Sequence, residues 1–500
     1  MLIKKKVNIT ELQRLLLFLF IVCLPFINFP KAYTSSLIGC NLAIYPLLLG
    51  LSCFCYDLYH NKIRLDNIYI IYPCIFICWQ LLCTGIGLIN YKYFYMIDLI
   101  HMDKLQLFIE FCSNHGFEIN HGVAIKLWLA LRLAKSLIKN WVIIFGIPLW
   151  IYHLYHYKWN IGFKDIRTAV LLISLIMCCY SAIEMFYLSG FTFASNILIK
   201  INPFLYDVAS SHGWWPPLLW QGQLRSVMAE PSYFGIISAI IIPLLFSCIF
   251  ESSKFRYILL YFFYLIMLFL SKTRTGLIVY LGELFLLVVV FLIYYRPQWK
   301  KILIILVCSI CAFLTTLIFF NNDVPDKNLS ASANTYVEQN IASVIGNKRS
   351  NSARHINTFA TIKVGLQHPL FGVGQGLKDA YINNNLTTED LTNNEVHIWS
   401  KYIHQDGILR STFPILNYFA YIFASFGVIG LLLYIIPIIY IFIRLYLQRD
   451  VLRNNIQLGC VLIAFCGSIA TLFSNGDFFL NIYILYGLLL CRTDYANFER

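Results

Sequence analysis

Long apolar runs separated by short polar breaks dominate this chain. They fall at about 15–29, 35–56, 68–89, 137–157, 168–191, 232–250, 257–270, 275–295, 302–320, 413–443, 456–473 and 478–491. Most approach the ~20 residues a helix needs to cross ~30 Å of hydrocarbon. The pattern predicts an all-α integral membrane protein with about 12 transmembrane helices. The run at 413–443 is long enough for a tilted or extended helix, and the last two runs are short.

Sidedness follows from the basic residues. With the N-terminus inside, the inner segments are short and basic: "KKK", "NKIR", "KWNIGFKDIR", "SKFR", "RPQWKK" and "RLYLQRDVLR". Segments 90–136, 192–231 and 321–412 are longer and sparser in Lys and Arg, which places them outside and both termini in the cytoplasm. The chain therefore divides into 1–320 with nine spans, one large external loop at 321–412, and 413–500 with three spans and a cytoplasmic tail. The start, "MLIKKKVNITELQRLLLFLF", has the shape of a signal peptide, but no small-residue cleavage site follows; it reads as a retained first helix.

Composition agrees. The chain is 59% hydrophobic with only 13% charged residues, unlike a soluble protein. Most of the 16 cysteines, such as Cys74, Cys178 and Cys308, lie in apolar runs and read as small packing residues; Cys112 is in a polar loop without a partner.

The notable charges sit at the outer ends of spans. "GQLRSVMAEPSYFGIISAIIIPLLF" (222–246) places Arg225 and Glu230 just before a wholly apolar run. "SKTRTG" (271–276) puts Lys272 and Arg274 in a very short external link, against the topology rule. Solvation at the headgroups competes with a functional role for both. "KLWLALRLAKSLIK" (126–139) spaces Arg132, Lys135 and Lys139 beside an apolar face, an interfacial lead-in to the fourth span that suits lipid headgroups. Glu184 and Glu283 lie in the outer halves of apolar spans, where an acid is costly; they line a cavity or pair with Arg274, with a proton relay as the further alternative.

The large loop opens on "NNDVPDKNLSASANT", a turn-rich stretch. A helix follows in "NSARHINTFATIKVGLQHPLFGVGQGL" (351–377), capped by Asn351 or Ser352, with Ile356, Phe359, Ile362 and Leu366 as its apolar stripe. His368-Pro369 ends it. Gly372, Gly374 and Gly376 then mark a tight turn, since no strand precedes them to make a nucleotide fingerprint. Arg349 and Arg354 are on or near the helix.

"RSVMAEPSYFG", "SKTRTGL", "ARHINTFATIKVGLQHPLFGVGQG" and "LNYFAYIFASFGVIGLLLYI" (416–435), in that order and on those sides, resemble the O-antigen polymerase and ligase superfamily, above all its Wzy-type repeat-unit polymerases. The resemblance implies a GT-C-like membrane glycosyltransferase. It implies transfer of a glycan from a polyprenyl (undecaprenyl) diphosphate carrier to a lipid-linked repeat unit outside the bacterial inner membrane, for O-antigen, capsule or exopolysaccharide. It further implies Arg225, Arg274 and Arg354, with Lys272, as the diphosphate-binding set. A chain-length regulator and a flippase are the implied partners, and nucleic acid is not one. Ligase relatives often carry a His-Asn pair where this chain has Leu416-Asn417, which weakens the ligase reading. A transporter of the lipid-linked sugar is the third alternative, and the sequence shows none of the inverted symmetry it would need.

Arginine suits diphosphate because its guanidinium stays charged and grips oxygens bidentately. The external loops hold no D-x-D pair, which favours a metal-independent reaction without cofactor. Glu230 is a base candidate, an orienting partner for Arg225, or an ordinary helix-start carboxylate. His404 and Asp406 in "IHQDG" are loop-borne candidates that also read as solvated. Trp214 and Trp215 in "GWWPPLLW" are candidates for sugar stacking or for an interfacial belt.

Overall fold

A computed structural model describes residues 9–30, 33–35, 38–60, 65–97, 103–117, 120–206, 222–294, 298–320, 329–340, 349–407, 411–476 and 480–491. Trp214 and Trp215 lie outside the described residues. The first part gives α1 (Ile9–Val22), α2 (Ile44–Tyr59), α3 (Ile68–Ile89), α4 (Asp103–Asn114) and α5 (His121–Trp141). Through a π-helical turn at Val142–Gly146, α5 continues into α6 (Ile147–Tyr155). Then come α7 (Trp159–Leu188), α8 (Thr192–Leu205), α9 (Pro231–Glu251), α10 (Phe255–Ser271), α11 (Arg274–Tyr294) and α12 (Trp299–Phe320). The 321–412 segment holds α13 (Leu329–Asn340), α14 (Arg349–Gln367), α15 (Lys378–Asn385) and α16 (Asn394–Asp406). After it come α17 (Tyr418–Leu447), α18 (Arg449–Asn454), α19 (Ile456–Thr471) and α20 (Asn481–Leu490).

Each predicted run meets a helix. Among the described residues, seven helices are long and apolar enough to cross a membrane, and α2, α10, α19 and α20 are shorter apolar helices. The first run is shifted: α1 starts at Ile9 and stops at Val22, before Pro25. The stretch read as turn-rich also differs, since it is helical from Leu329. Tyr336 anchors that helix by donating to Phe269 O of α10 at 2.7 Å.

The bundle is organised around α9. Its run is apolar on every side, so no face is left for water. Residues 234–250 are buried without interruption, between α7, α10, α11, α12 and α19. First turns of α9 and α11 touch: a Cβ on Gly235 would lie 2.9 Å from Gly276 Cα. Glycine permits that approach.

The 413–443 run is not one helix. α17 is broken at Gly427, with φ 68° and ψ −170°, a conformation essentially open to glycine alone. The break leaves backbone groups without helical partners, which cannot stand inside hydrocarbon. The glycine turn supplies them. Val373 N–H donates to Ala424 O and Gly374 N–H to Ser425 O, each at 2.9 Å, while Pro369 O accepts from Val428 N–H at 2.8 Å. Trp79 Nε1 of α3 donates to Phe426 O at 3.0 Å. Gly372, Gly374 and Gly376 have φ of 64°, 91° and 69°, so the turn needs the permissive backbone expected of it.

α14 ends at Gln367, before His368-Pro369 as expected, but its buried face is not the predicted one. Phe359 and Leu366 point outward, while Ala353, Asn357, Ala360, Thr361, Val364 and Gly365 are buried. Close packing on α17 explains this, because a Cβ on Gly365 would sit 2.4 Å from Phe423 Cδ1. Small residues, not large ones, let these two helices meet.

A Cβ on Gly427 would lie 2.0 Å from Leu370 O, so Gly427→Val must displace the loop or open the break. The expected result is a loss of apparent melting temperature of at least ~5 °C in detergent-solubilised protein, read by intrinsic tryptophan fluorescence.

Candidate functional site

Residues 222–230 cross the end of the bundle where α7 and α10 finish and α9 and α11 begin. Leu224 N–H donates to Leu270 O at the end of α10, 3.1 Å away. Ser226 has left-handed backbone, φ 58°, and is held three ways. Its N–H donates to Glu184 Oε2 at 2.7 Å, its hydroxyl to Met177 O at 3.1 Å, and its carbonyl accepts from Tyr206 Oη at 3.0 Å. Arg225 is therefore planted by contacts to its neighbours rather than by its own.

Arg225 is 4% exposed. Its guanidinium lies 4.5 Å over the Tyr206 ring, and Nε is 3.7 Å from Glu184 Oε1. That distance gives charge attraction without a hydrogen bond. Nη1 makes one long contact, 3.5 Å, to Ala229 O. Nε and Nη2 have no hydrogen-bond partner among the described residues. Buried guanidinium donors left open are costly unless an anion meets them.

Glu230 sits at the N-cap of α9, with Pro231 in the first helical position. Its Oε2 accepts from Ser232 Oγ at 3.1 Å. Burial pushes its pKa above the usual carboxylate range, offset in part by Ser232 and by the positive charge of Arg354. Glu230 thus answers to Arg354, and the acid holding Arg225 is Glu184. The orienting role expected of Glu230 toward Arg225 belongs to Glu184.

Arg274 is the first residue of α11, and its Nη1 donates to Asn351 Oδ1 of α14. Asn351 therefore lies inside the first turn of α14 instead of capping it. One turn on, Arg354 Nη1 donates to Ser474 O at 2.8 Å. Burial and then the neighbouring charge of Arg274 lower the Arg354 pKa, with Glu395 and Glu230 acting the other way. Lys272 ends α10 in left-handed backbone, φ 50°; a Cβ on Gly222 would lie 3.8 Å from its Nζ. Lys272 thus adjoins the segment that carries Arg225.

The structure brings Glu230, Arg274 and Arg354 within electrostatic reach of one another, with Lys272 against the 222–230 segment, whereas Arg225 turns to Glu184 and Tyr206. The first turns of α9 and α11 meet at Gly235 and Gly276, and those of α11 and α14 at Arg274 and Asn351, so the electropositive starts of three helices are neighbours. The arrangement can bind a polyvalent anion and set an acid beside it. Among the described residues, no group of three or more His, Cys, Asp or Glu stands ready to hold a metal.

Other candidates lie elsewhere. His404 Nε2 meets Asn383 Nδ2 at 3.0 Å near the end of α16, nine residues from Glu395 and so ~13 Å along the helix from the residue that senses Arg354. Asp406 closes α16, and its side chain is outside the described residues, as is that of Arg349. Glu283 does not pair with Arg274, which is nine residues or ~13 Å away along α11. It lies against Gly467 of α19 without a hydrogen-bond partner among the described residues.

Lys378 escaped the sequence reading. It is buried, with Nζ 2.7 Å from Asp379 Oδ1 and 3.1 Å from Phe413 O, over the Tyr421 ring at 5.9 Å. Nothing in its surroundings, "GLKDAY", sets it apart from a solvated lysine.

Removing one partner of a buried ion pair costs about 3–5 kcal/mol, because the other charge is stranded. Glu184→Ala is expected to unfold at much lower temperature than wild type, and Glu184→Ala combined with Arg225→Met to recover most of the loss. Thermal unfolding of the three purified proteins measures both.

No curated protein matches the chain. Residues 259–435 match the family model described as O-antigen ligase. The matched segment contains Lys272, Arg274, Arg354, the glycine turn and the Gly427 break, and it supports a membrane enzyme of surface-polysaccharide assembly. The match covers about a third of the chain and supports a likeness to the O-antigen polymerase and ligase superfamily.

Proposed function

We propose that this protein polymerises a surface polysaccharide, such as O-antigen, capsule or exopolysaccharide, at the outer face of a bacterial inner membrane. Both termini would then be cytoplasmic. The donor is a glycan on a polyprenyl diphosphate, and the acceptor is a hydroxyl of the next lipid-linked repeat unit. One observation carries the reading: Arg225 is buried with Nε and Nη2 unpartnered among the described residues, in the segment against which Lys272 lies.

In the proposed reaction the acceptor oxygen attacks the anomeric carbon, and the bond from that carbon to the phosphate oxygen breaks. The bonding electrons leave with the diphosphate, where Arg225, Arg274, Arg354 and Lys272 meet the growing charge. Glu230 takes the hydroxyl proton. Its raised pKa fits a base, because burial makes the carboxylate more basic than a solvated one. The reading asks for no cofactor and no nucleotide, since the diphosphate is itself the leaving group. A flippase that delivers substrate and a chain-length regulator are the expected partners.

The second reading, transfer of finished glycan to another carrier, draws on the family description of ligase. Against it, Leu416 stands where ligase relatives often have histidine, and the Asn417 side chain is used to cap α17 through Ala420 N–H at 3.0 Å. Purified protein given a lipid-diphosphate repeat unit as sole substrate separates the readings. A ladder spaced by one repeat is expected; transfer only to an added second acceptor would move the assignment to ligase.

Arg274→Ala and Arg354→Ala should each lower the transfer rate by ~10²–10³ with the protein still folded, and so should Arg225→Met in the Glu184→Ala background, where no charge is stranded. Wild-type rates from any well-folded one of them would remove that residue from the site.

Because Glu230 keeps its proton to higher pH than a solvated glutamate (~4.3), its base form builds up only above that range. The acid limb of the transfer rate should accordingly lie above it. Glu230→Gln should lose both the limb and ~10² in rate, as a pH series of initial rates would show.

A further inference from the structure

A second site lies on the same face, away from the arginines. Tyr93 and Tyr95, beyond α3, and Asn383, Asn384, His404 and Gln405, from α15 and α16, line a cavity of about 370 Å³. That size is within the ~300–1,000 Å³ of ordinary ligand sites. None of its described lining residues is Asp, Glu, Lys or Arg. Its described lining thus offers no formal charge to a phosphate, a carboxylate or an ammonium group. It has a great deal for hydroxyls.

The polar groups are preset. Ser400 Oγ donates to Asn383 Oδ1 at 2.7 Å, which turns the Asn383 amide nitrogen toward His404 Nε2, 3.0 Å away. Nε2 then accepts, and the imidazole proton sits on Nδ1 as a donor. The assignment follows from the hydrogen-bond network. The aromatic side is equally defined. Tyr381 buttresses Tyr93 edge-on at 4.9 Å, and Tyr95 stands 6.2 Å from Tyr93 with 79% of its surface open. An open tyrosine ring beside amide and imidazole groups offers an apolar face for the C–H side of a pyranose and partners for its hydroxyls.

Its placement is also informative. Glu395 at the start of α16 is within electrostatic reach of Arg354, and His404 is nine residues further along the same helix. At 1.5 Å per residue Glu395 and His404 stand ~13 Å apart along α16, on the order of the length of a short oligosaccharide.

We propose that the Tyr93–Tyr95–Asn383–His404–Gln405 cavity is a binding subsite for uncharged sugar units, holding a glycan several sugars from the bond that is made or broken. The proposal rests on the transfer reading above and names where the glycan goes. It also gives His404 a task its position can serve, contact with sugar hydroxyls.

The test uses full-length protein in lipid nanodiscs. The probe is the free oligosaccharide released by mild acid from the lipid-diphosphate pool of cells that carry this gene. Saturation-transfer NMR and titration calorimetry read its binding. Wild type should bind it, Tyr95→Ala and Gln405→Ala should each bind at least about tenfold more weakly, and Tyr95→Phe should bind as wild type does. Both positions are on the surface, and unchanged thermal unfolding will show that the variants are folded. Arg274→Ala should keep binding, because the probe has no diphosphate. No binding by wild type, or undiminished binding by both alanine variants, overturns the subsite. Transfer from the intact lipid-diphosphate substrate is measured alongside. Binding in the pattern above without transfer would sink the transfer reading and leave the subsite standing; transfer without binding would do the reverse.

Discussion

A broken helix in a membrane must find partners for its freed backbone groups, and much of this structure follows from how α17 does so. The 369–374 segment fills the gap at Gly427 with main-chain hydrogen bonds to Ala424, Ser425 and Val428. Because that segment follows directly on the end of α14 at Gln367, filling the gap also fixes α14. Through α14 it fixes Asn351 and Arg354, and with them the partner of Arg274. Thr84 of α3 adds a side-chain contact, its Oγ1 accepting from Gln375 N–H at 3.3 Å. Gln375 extends the lock, bonding Ser136 of α5 and Tyr421 of α17 through its side chain. A polar 321–412 segment thereby behaves as part of the membrane bundle.

The arginine site and the glycine lock solve opposite problems. The lock pairs the main-chain groups freed at Ala424, Ser425 and Val428. The arginine site leaves donors on Arg225 open among the described residues and sets Glu184 just beyond hydrogen-bond distance. Such a site is expensive to fold and is tolerable because Glu184 and Tyr206 offset the charge of the guanidinium. That cost is the usual mark of a group kept for a ligand rather than for stability.

Features set by local composition were legible in the sequence. Span positions followed from run length, and the positive φ of Gly372, Gly374 and Gly376 followed from glycine where a turn was needed. Features set by tertiary contact were not. "FASFGVIG" reads as helix because the strain at Gly427 is relieved by residues more than fifty positions earlier. Glu184 precedes Arg225 by 41 positions, so sequence proximity pointed to Glu230 instead. The stripe of α14 was misread for a related reason. Size was taken as the sign of burial, whereas the interface with α17 selects the small residues Ala353, Ala360 and Gly365.

The full enclosure of α9 has a mechanical consequence. Bilayers differ in thickness, and a membrane protein answers such differences by tilting the helices that touch lipid. From 234 to 250 every residue of α9 is sheathed by protein, so strain of that kind falls first on the surrounding helices. The residues at its head keep their spacing to α11 through the Gly235–Gly276 contact. Lys126, Leu131, Arg132, Lys135 and Lys139 on α5, by contrast, are exposed and face away from the core. Lipid composition should thus govern how substrates arrive far more than how the arginines are arranged to receive them.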